Sequence, residues 1–254
     1  MILHIPHSSR IIPEELRGQF VLSDLQLEGE LTRTTDAYVD ELFSLAGTRA
    51  VAFPLSRLVV DVERFRSDDQ EEMSRVGMGM VYTRTADGQC LRRGISPGER
   101  ASLERLYDEH HQALESAVEE ELERLGRALI VDCHSFPDQP LPCDRDRSAP
   151  RPDLCVGTNP FHTPTVLAGT VVRKARELGY RTMTNSPYSG ALVPMAFYGK
   201  DQRVSSVMIE VNRRLYMDEA LGDKTPGFGK IKEDMTVILE AIWNLGQKNL
   251  PGVA

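Results

Sequence analysis

The stretch ALIVDCHS, residues 128–135, contains the feature that decides the fold of this chain. It begins with an unbroken apolar run that ends at Asp132, and His134 follows two positions later. Such a run, coming directly after the helix-ending residue Gly126, predicts a strand at residues 128–132 that is buried on both faces. Strands of this kind belong to sheets that are covered by helices on both sides.

The segments on either side alternate between helical and strand-like patterns. The clearest helix begins at the capping box Ser96-Pro97-Gly98-Glu99 and ends at Gly126. Further helices are predicted between Thr34 and Gly47, between Thr163 and Gly179, and over residues 231–245. Further strands are predicted at residues 1–5, 50–53, 58–62, 180–184 and 204–212. This alternation predicts a layered α/β fold.

Two segments depart from the alternation. Residues 66–95 are polar and glycine-rich, and we predict an irregular excursion or a small hairpin there. Residues 137–152 are rich in proline and aspartate, which predicts either a lid over a site or a plain surface loop. No internal repeat or low-complexity linker divides the sequence, so we predict a single domain over residues 1–254.

Composition limits the classes of partner. The formal net charge of -8 leaves no basic excess to neutralise phosphates, which argues against nucleic-acid binding. The four cysteines form no CxxC pair and are too few for a secreted disulfide scaffold, so we predict a cytoplasmic protein. No apolar run approaches the length of a membrane span, and the first residues do not resemble a signal peptide. The oligomeric state stays open.

Histidines and acidic residues collect where the predicted strands end. His7 follows the first strand, His134 follows the strand at 128–132, and Glu210 lies inside the apolar strand at 204–212. Ligands of open α/β sheets bind beyond the carboxyl ends of the strands, so these side chains are candidates for one site. A carboxylate in an apolar strand must be paired, adjacent to a metal or shifted in pKa.

Each candidate also has a purely structural interpretation. His7 is then a hydrogen-bonded turn residue, and His134 forms a local corner with Asp132. Glu210 then forms an ion pair with an arginine such as Arg213. This alternative predicts that the purified protein contains no metal.

The functional interpretation is a metal centre. Two histidines with an acid form a ligand set that catalytic zinc accepts, with one position left for water. Zinc lowers the pKa of that water toward ~7, and an unligated glutamate then moves its proton to the leaving nitrogen. No GxSxG elbow, Walker loop or GxGxxG fingerprint supports a rival chemistry.

Six motifs, in order along most of the chain, resemble the N-formylglutamate amidohydrolase family, relatives of zinc carboxypeptidases. They are PHSS (6–9), Asp36, SRLVVDVER (56–64), DCHS (132–135), NSPYSG (185–190) and IEVNRRLYM (209–217). The resemblance implies a three-layer, zinc-carboxypeptidase-like α/β/α sandwich around a mixed sheet. It also implies a metal-dependent hydrolase that cleaves the amide of an N-acyl amino acid.

The resemblance implies roles for individual residues. His7 and His134 are expected to bind one zinc ion or another divalent metal, with Asp36 as the third ligand and Asp61 as its rival. Glu210 is expected to be the general base. The residues expected to contact the substrate are Arg57 and Arg64 as carboxylate clamps, Asn185 and Tyr188 as pocket wall, and Arg213 as a clamp or a structural partner of an acid.

Two positions depart from the family pattern. Glu63 stands where the family usually has asparagine, and Ser9 stands where it often has glycine. If Glu63 faces the pocket, its charge weakens attraction for a dianion such as N-formylglutamate. We therefore predict a cytoplasmic zinc amidohydrolase of amino-acid metabolism that acts on a small carboxylated amide. The alternatives are carboxypeptidase-like cleavage of a short peptide and a metal-binding or ligand-binding relative without turnover.

Overall fold

A six-stranded mixed sheet forms the centre of the protein, which we describe from a computed structural model covering residues 1–247. The strands are β1 (Ile2–Ile5), β2 (Arg49–Ala52), β3 (Ala128–Phe136), β4 (Leu154–Gly157), β5 (Thr182–Thr184) and β6 (Val204–Asn212). Their order across the sheet is β2-β1-β3-β6-β4-β5. Strands β2, β1, β3 and β6 are mutually parallel, β4 is antiparallel to β6, and β5 is parallel to β4. The mixed sheet predicted for the chain is confirmed.

Helices cover both faces of this sheet. They are α1 (Glu14–Arg17), α2 (Asp24–Thr34), α3 (Val39–Leu42), α4 (Pro97–Leu125), α5 (Thr165–Glu177) and α6 (Phe228–Gln247). Short 3-10 helices lie at Glu72–Val76 and Arg213–Leu215. The long helix α4 begins at the predicted capping box, in which Ser96 and Glu99 bond each other's backbone, and it ends at Gly126 in the left-handed region.

Successive side chains of the central strands alternate between two apolar layers. Ile2 and Ile130 pack in a cluster with Leu114 of α4. Leu3 and Val131 pack on the opposite face, in a cluster that contains residues of α3, α5 and α6. Because strand residues alternate between faces, one sheet supplies both layers, and the predicted α/β/α sandwich is confirmed.

The same alternation places the polar strand residues on the α4 side of the sheet. His4 of β1 contacts His110 of α4, with the two Nε2 atoms 2.9 Å apart. His134 of β3 lies two residues beyond Asp132, and Glu210 of β6 is in register with His134. The candidate residues of three neighbouring strands therefore share one face and one end of the sheet.

Some predicted elements are wrong. Residues 58–62 form turns rather than a strand; Val59 and Val60 are fully buried, which is why the run resembles a strand. The helix predicted between Thr34 and Gly47 is also wrong, because α2 ends at Thr34 and only the single turn α3 follows. Strand β4 was not predicted.

The two irregular segments contain little regular structure. Residues 66–95 contain the 3-10 helix Glu72–Val76 and an isolated bridge between Arg84 and Cys90, and residues 137–152 form turns and loops. The predicted single domain extends over residues 248–254, which lie outside the described residues, and it stays a prediction. Within residues 1–247, no helix is both long and apolar enough to span a membrane.

Candidate metal centre and active site

His7 leaves strand β1 with one ring nitrogen held and the other free. Its Nε2 donates a hydrogen bond to Asp61 Oδ1 at 2.8 Å. Its Nδ1 is buried and has no hydrogen-bond partner, and it lies 3.8 Å from Asp36 Oδ2. A buried imidazole nitrogen without a partner is costly, so Nδ1 requires a ligand on this side.

His134 presents its Nδ1 to the same carboxylate oxygen. The Nδ1 atom is 3.1 Å from Asp36 Oδ2, and Nε2 donates to Asp132 Oδ1 at 3.1 Å. Because a carboxylate holds Nε2 in each histidine, both rings direct Nδ1 toward the space beside Asp36. This arrangement of a ligand histidine backed by an outer carboxylate is common around protein-bound metals.

Asp36 occupies the third position of this group. It lies between α2 and α3, and its backbone amide donates to the His7 carbonyl at 3.0 Å. Its Oδ1 accepts a hydrogen bond from Arg213 Nη2 at 2.8 Å, which leaves Oδ2 toward the histidines. Burial alone would raise the pKa of this carboxyl, but the histidines and Arg213 hold the pKa below its ordinary value. Asp36 is therefore an anion at neutral pH.

The three ligand atoms fit a divalent metal. Atoms of His7, Asp36 and His134 all lie within 4.8 Å of one another, and all three residues are buried. Two imidazole nitrogens and a carboxylate oxygen form a donor set that zinc accepts at bond lengths of about 2.0–2.2 Å. We call these three residues, which are candidate metal ligands, the ligand group.

Asp61, the rival third ligand, lies behind His7. Its Oδ1 accepts from His7 Nε2, and its Oδ2 accepts from Arg57 Nη2 at 2.7 Å and from the hydroxyl of Tyr82. Burial opposes its ionisation, but Arg57 and His7 hold the pKa of Asp61 well below its ordinary value. Since Asp61 contacts the ring nitrogen opposite to Nδ1, the geometry favours Asp36 as the ligand.

Glu210 lies beside the ligand group without belonging to it. Its side chain projects from β6, opposite His134, and only 7% of the residue is exposed. Its Oε2 atom is buried and has no hydrogen-bond partner. Burial raises the pKa of this carboxyl to about 8. A carboxyl group with such a pKa and a free oxygen is suited to accept and return a proton near neutral pH.

A cavity of about 570 Å³ opens onto the ligand group and Glu210. Its wall includes segments distant in the sequence, among them residues 141 and 143–146 of the irregular segment 137–152. Arg151, which is 2% exposed, holds this segment by donating to Asp144 Oδ2 at 2.6 Å and to the Pro137 carbonyl at 3.1 Å. The segment forms part of the cavity wall.

The three arginines predicted to bind substrate carboxylates differ in how many bonds their guanidinium groups already make within the protein. Arg57 bonds Asp61 through two nitrogens, and Arg213 bonds Asp36, the Ser135 hydroxyl and a backbone carbonyl. Arg64 lines the cavity, and its nearest ion contact is long, 3.5 Å from Nε to Asp61 Oδ2. Among the described residues, Arg64 is the predicted clamp whose guanidinium is left for a ligand.

Of the two residues predicted to line the pocket wall, one lines the cavity and the other does not. Tyr188 lines the cavity, and its hydroxyl accepts from Arg151 Nη1 at 3.1 Å. Asn185 is absent from the cavity lining, and its side-chain amide bonds Thr158 through both Oδ1 and Nδ2 at 2.8 Å. The structure therefore does not bring Asn185 to the site.

Sequence reasoning missed the residues behind the histidines. The sequence indicates Asp132 only as a local partner of His134, yet its Oδ1 also accepts from His4 Nδ1 at 2.8 Å. His4, Glu63 and Asp132 form a second buried or partly buried group of metal-binding residue types. Alternation along β1 and β3 was the available signal, because it places His4 on the same face as Asp132.

Comparisons with known proteins agree with this fold. A family model described as N-formylglutamate amidohydrolase matches residues 1–217. The crystal structure of N-formylglutamate amidohydrolase from Ralstonia eutropha JMP134 is 24% identical, with a TM-score of 0.85, over 98% of this chain and 94% of that one. A gene product of Agrobacterium tumefaciens is 19% identical, with a TM-score of 0.64, over 96% and 91% of the two chains. No curated protein sequence matches. At these identities the two structures support the fold.

Proposed function

The chain belongs to the N-formylglutamate amidohydrolase family, whose members hydrolyse amide bonds, and from this premise we propose that it is a zinc-dependent amidohydrolase. The proposed substrate is a small amino acid that carries an N-acyl group such as formyl and at least one free carboxylate. The proposed site of action is the cytoplasm.

The ligand group His7, Asp36 and His134 would hold the metal. The unpartnered Nδ1 of His7 supports this assignment, and so does the convergence of two imidazoles on one carboxylate oxygen. A zinc ion bound there acidifies water and polarises an amide carbonyl. Asp61, Asp132 and Arg213 keep the three ligands in position, since each holds the atom that faces away from the metal.

Glu210 acts as the proton carrier. Its free Oε2 accepts a proton from the water as the water oxygen bonds to the carbonyl carbon of the substrate. The same carboxyl then donates that proton to the leaving nitrogen as the carbon–nitrogen bond breaks, so that the products are a carboxylic acid and an amine. Burial, which raises the pKa of this carboxyl, makes it a stronger base for the first transfer.

Arg64 binds the substrate carboxylate, since its guanidinium faces the cavity and has no strong partner among the described residues. Arg57 and Arg213 are assigned instead to positioning Asp61 and Asp36. Tyr188 contributes to the wall of the cavity.

One observation carries the proposal: three ligand atoms converge beside a buried glutamate that has a free oxygen. The test combines elemental analysis with hydrolysis of formyl-, acetyl- and succinyl-amino acids, with and without a chelator. Bound zinc near one equivalent is expected, together with activity that chelation removes and added zinc restores. Hydrolysis that is insensitive to chelation would reject the metal assignment.

The variant Glu210→Gln separates an enzyme from a binding protein. It keeps the size of the side chain but removes the proton acceptor, so kcat is expected to fall about 10²- to 10⁴-fold while bound zinc stays at the wild-type level. Substrate binding without turnover in the wild type would favour the non-catalytic alternative.

A further inference from the structure

Two adjacent residues of opposite charge, Glu63 and Arg64, face the cavity without pairing with each other. Both line the 570 Å³ cavity and also a second cavity of about 270 Å³. Within the described residues, no ion pair joins them. They therefore form a charged boundary between the two cavities, beside the ligand group.

The Glu63 carboxylate has no hydrogen-bond donor of its own. Its oxygens lie 3.4 Å from His4 Nδ1 and 3.4 Å from His134 Nε2. Both ring nitrogens are closer to Asp132 Oδ1, at 2.8 and 3.1 Å, and each nitrogen carries only one hydrogen. Oε1 of Glu63 is left without a partner, although the side chain is only 16% exposed. A further donor, such as a ligand cation, would stabilise a carboxylate in this position.

Arg64, in turn, lacks a close anionic partner of its own. Its Nε has no hydrogen-bond partner, and the nearest anion, Asp61, already accepts two hydrogen bonds from Arg57. Two guanidinium groups therefore share one carboxylate, which leaves positive charge at Arg64 for a ligand anion. The side chain is 24% exposed, so a ligand in the cavity can reach it.

The backbone holds the two charges side by side. Asp61 accepts a hydrogen bond from the Glu63 amide at Oδ1, at 3.0 Å, and its carbonyl accepts from the Arg64 amide at 3.3 Å. The turn is thus fixed by the same carboxylate that holds His7. A ligand with an ammonium and a carboxylate on one carbon atom carries the pair of charges that complements Glu63 and Arg64.

We propose that Glu63 and Arg64 bind the free α-ammonium and α-carboxylate of an amino acid whose acyl group is on its side-chain nitrogen. The inference rests on the proposed function, and it specifies the substrate class. An α-nitrogen that binds Glu63 as ammonium is not acylated, so the amide that is cleaved must lie on the side chain. Side-chain N-acyl derivatives of diamino acids such as lysine fulfil this condition.

Two isomers provide the test, because Nε-formyl-L-lysine and Nα-formyl-L-lysine contain the same atoms and the same charged groups. We expect kcat/KM of the zinc-loaded wild type to be at least about tenfold higher for the Nε isomer, the range of a hydrogen bond to a charged group. In Glu63→Gln, the ratio between the isomers should fall to near one, mainly through KM, with zinc content unchanged. Hydrolysis of both isomers at equal, measurable rates in the wild type, or a variant that leaves the ratio intact, would overturn the proposal.

Glu72→Gln is the matched control, because Glu72 lines the same cavity but is exposed and paired with Arg145. It should leave the ratio between the isomers unchanged. A loss of zinc from Glu63→Gln would instead assign Glu63 to positioning His134 and would also overturn the proposal.

A binding measurement keeps this inference separate from the proposed function. Calorimetry should detect binding of L-norleucine, which has a free α-amino acid group, and much weaker binding of Nα-acetyl-L-norleucine. If no N-acyl amino acid is hydrolysed but L-norleucine binds to the wild type and not to Glu63→Gln, the proposed function fails and the charge assignment stands. If other N-acyl amino acids are hydrolysed and L-norleucine does not bind, the charge assignment fails and the proposed function stands.

Discussion

Asp132 and His134 lie two residues apart on the same face of strand β3, and the Asp132 carboxylate holds the Nε2 atom of His134 at 3.1 Å. The same Oδ1 atom holds His4 at 2.8 Å, and Oδ2 accepts from the Leu192 amide at 3.0 Å. A single carboxylate therefore links β1, β3 and the loop that contains Leu192 directly behind the ligand group.

Replacement of Asp132 by asparagine is expected to weaken zinc binding without removing it. The amide carries no charge to polarise His134, so zinc affinity should fall about 10- to 100-fold, as is typical of lost outer carboxylates. Competition with a chromophoric chelator measures this change. Asp201→Asn, at a surface carboxylate paired with Arg203, is the control and should bind zinc like the wild type. Wild-type affinity in Asp132→Asn would contradict the assigned role.

Asp36 and Asp61 are distinguished by the same replacement at each position. Asp36→Asn removes a proposed ligand and should lose more zinc than Asp61→Asn, which removes only the support behind His7. The loss in Asp61→Asn should resemble that of an outer carboxylate, about 10- to 100-fold in affinity. Elemental analysis after dialysis shows which of the two variants retains less zinc. The reverse order would make Asp61 the ligand.

Arg64→Gln is expected to impair substrate binding more than turnover. The guanidinium supplies a charge-assisted contact to the substrate carboxylate, so KM should rise about 10- to 100-fold. A substrate with a methyl ester in place of the carboxylate is the control, because it offers Arg64 no anion. An equal loss for the acid and the ester would indicate that Arg64 acts through protein structure instead.

His110 makes the protein sensitive to acid. Burial, with the nearby His4 and His111, lowers the pKa of His110 to about 2 from its ordinary 6.5. Below pH 6.5 the unfolded chain binds a proton at this residue that the folded chain does not bind, so the free energy of unfolding falls as the pH is lowered. The loss from this residue is at most about 1.4 kcal/mol per pH unit, and above that range it contributes none.

The variant His110→Gln keeps a donor for His4 but cannot be protonated. Urea unfolding between about pH 7 and pH 4 should therefore show a shallower decline of stability than in the wild type. Parallel declines in the two proteins would show that His110 is not the group responsible.

Periodicity predicted the parts of the fold that depend on local pattern. Strand β6 was predicted at its observed bounds, Val204–Asn212, because apolar and β-branched residues predominate along it. The sequence pattern does not predict strand β4 (Leu154–Gly157), because this strand is short and follows a segment rich in proline and aspartate. Residues 58–62 show the converse limit, since burial in a turn and burial in a strand produce the same apolar run.

The site residues likewise fall into those that a sequence pattern predicts and those that it does not. His7 and His134 are predicted because ligands bind at strand ends, and Glu210 because a carboxylate inside an apolar strand is costly, whereas Asp36 came from the family resemblance. The contact of Asp61 with His7 and that of Glu63 with His4 join positions more than fifty residues apart. No local pattern specifies such pairs, because they depend on how a turn packs against β1.

The alternation along β3 has an evolutionary consequence. Deletion of a single residue before Asp132 would rotate the following side chains to the opposite face, and His134 would then enter the apolar layer that contains Cys133 and Val131. Insertions in the segments at 66–95 or 137–152 would not change which face of the sheet each β3 side chain points to. Natural variants of this enzyme should therefore differ in length at the rim of the cavity, while the spacing inside β3 stays invariant.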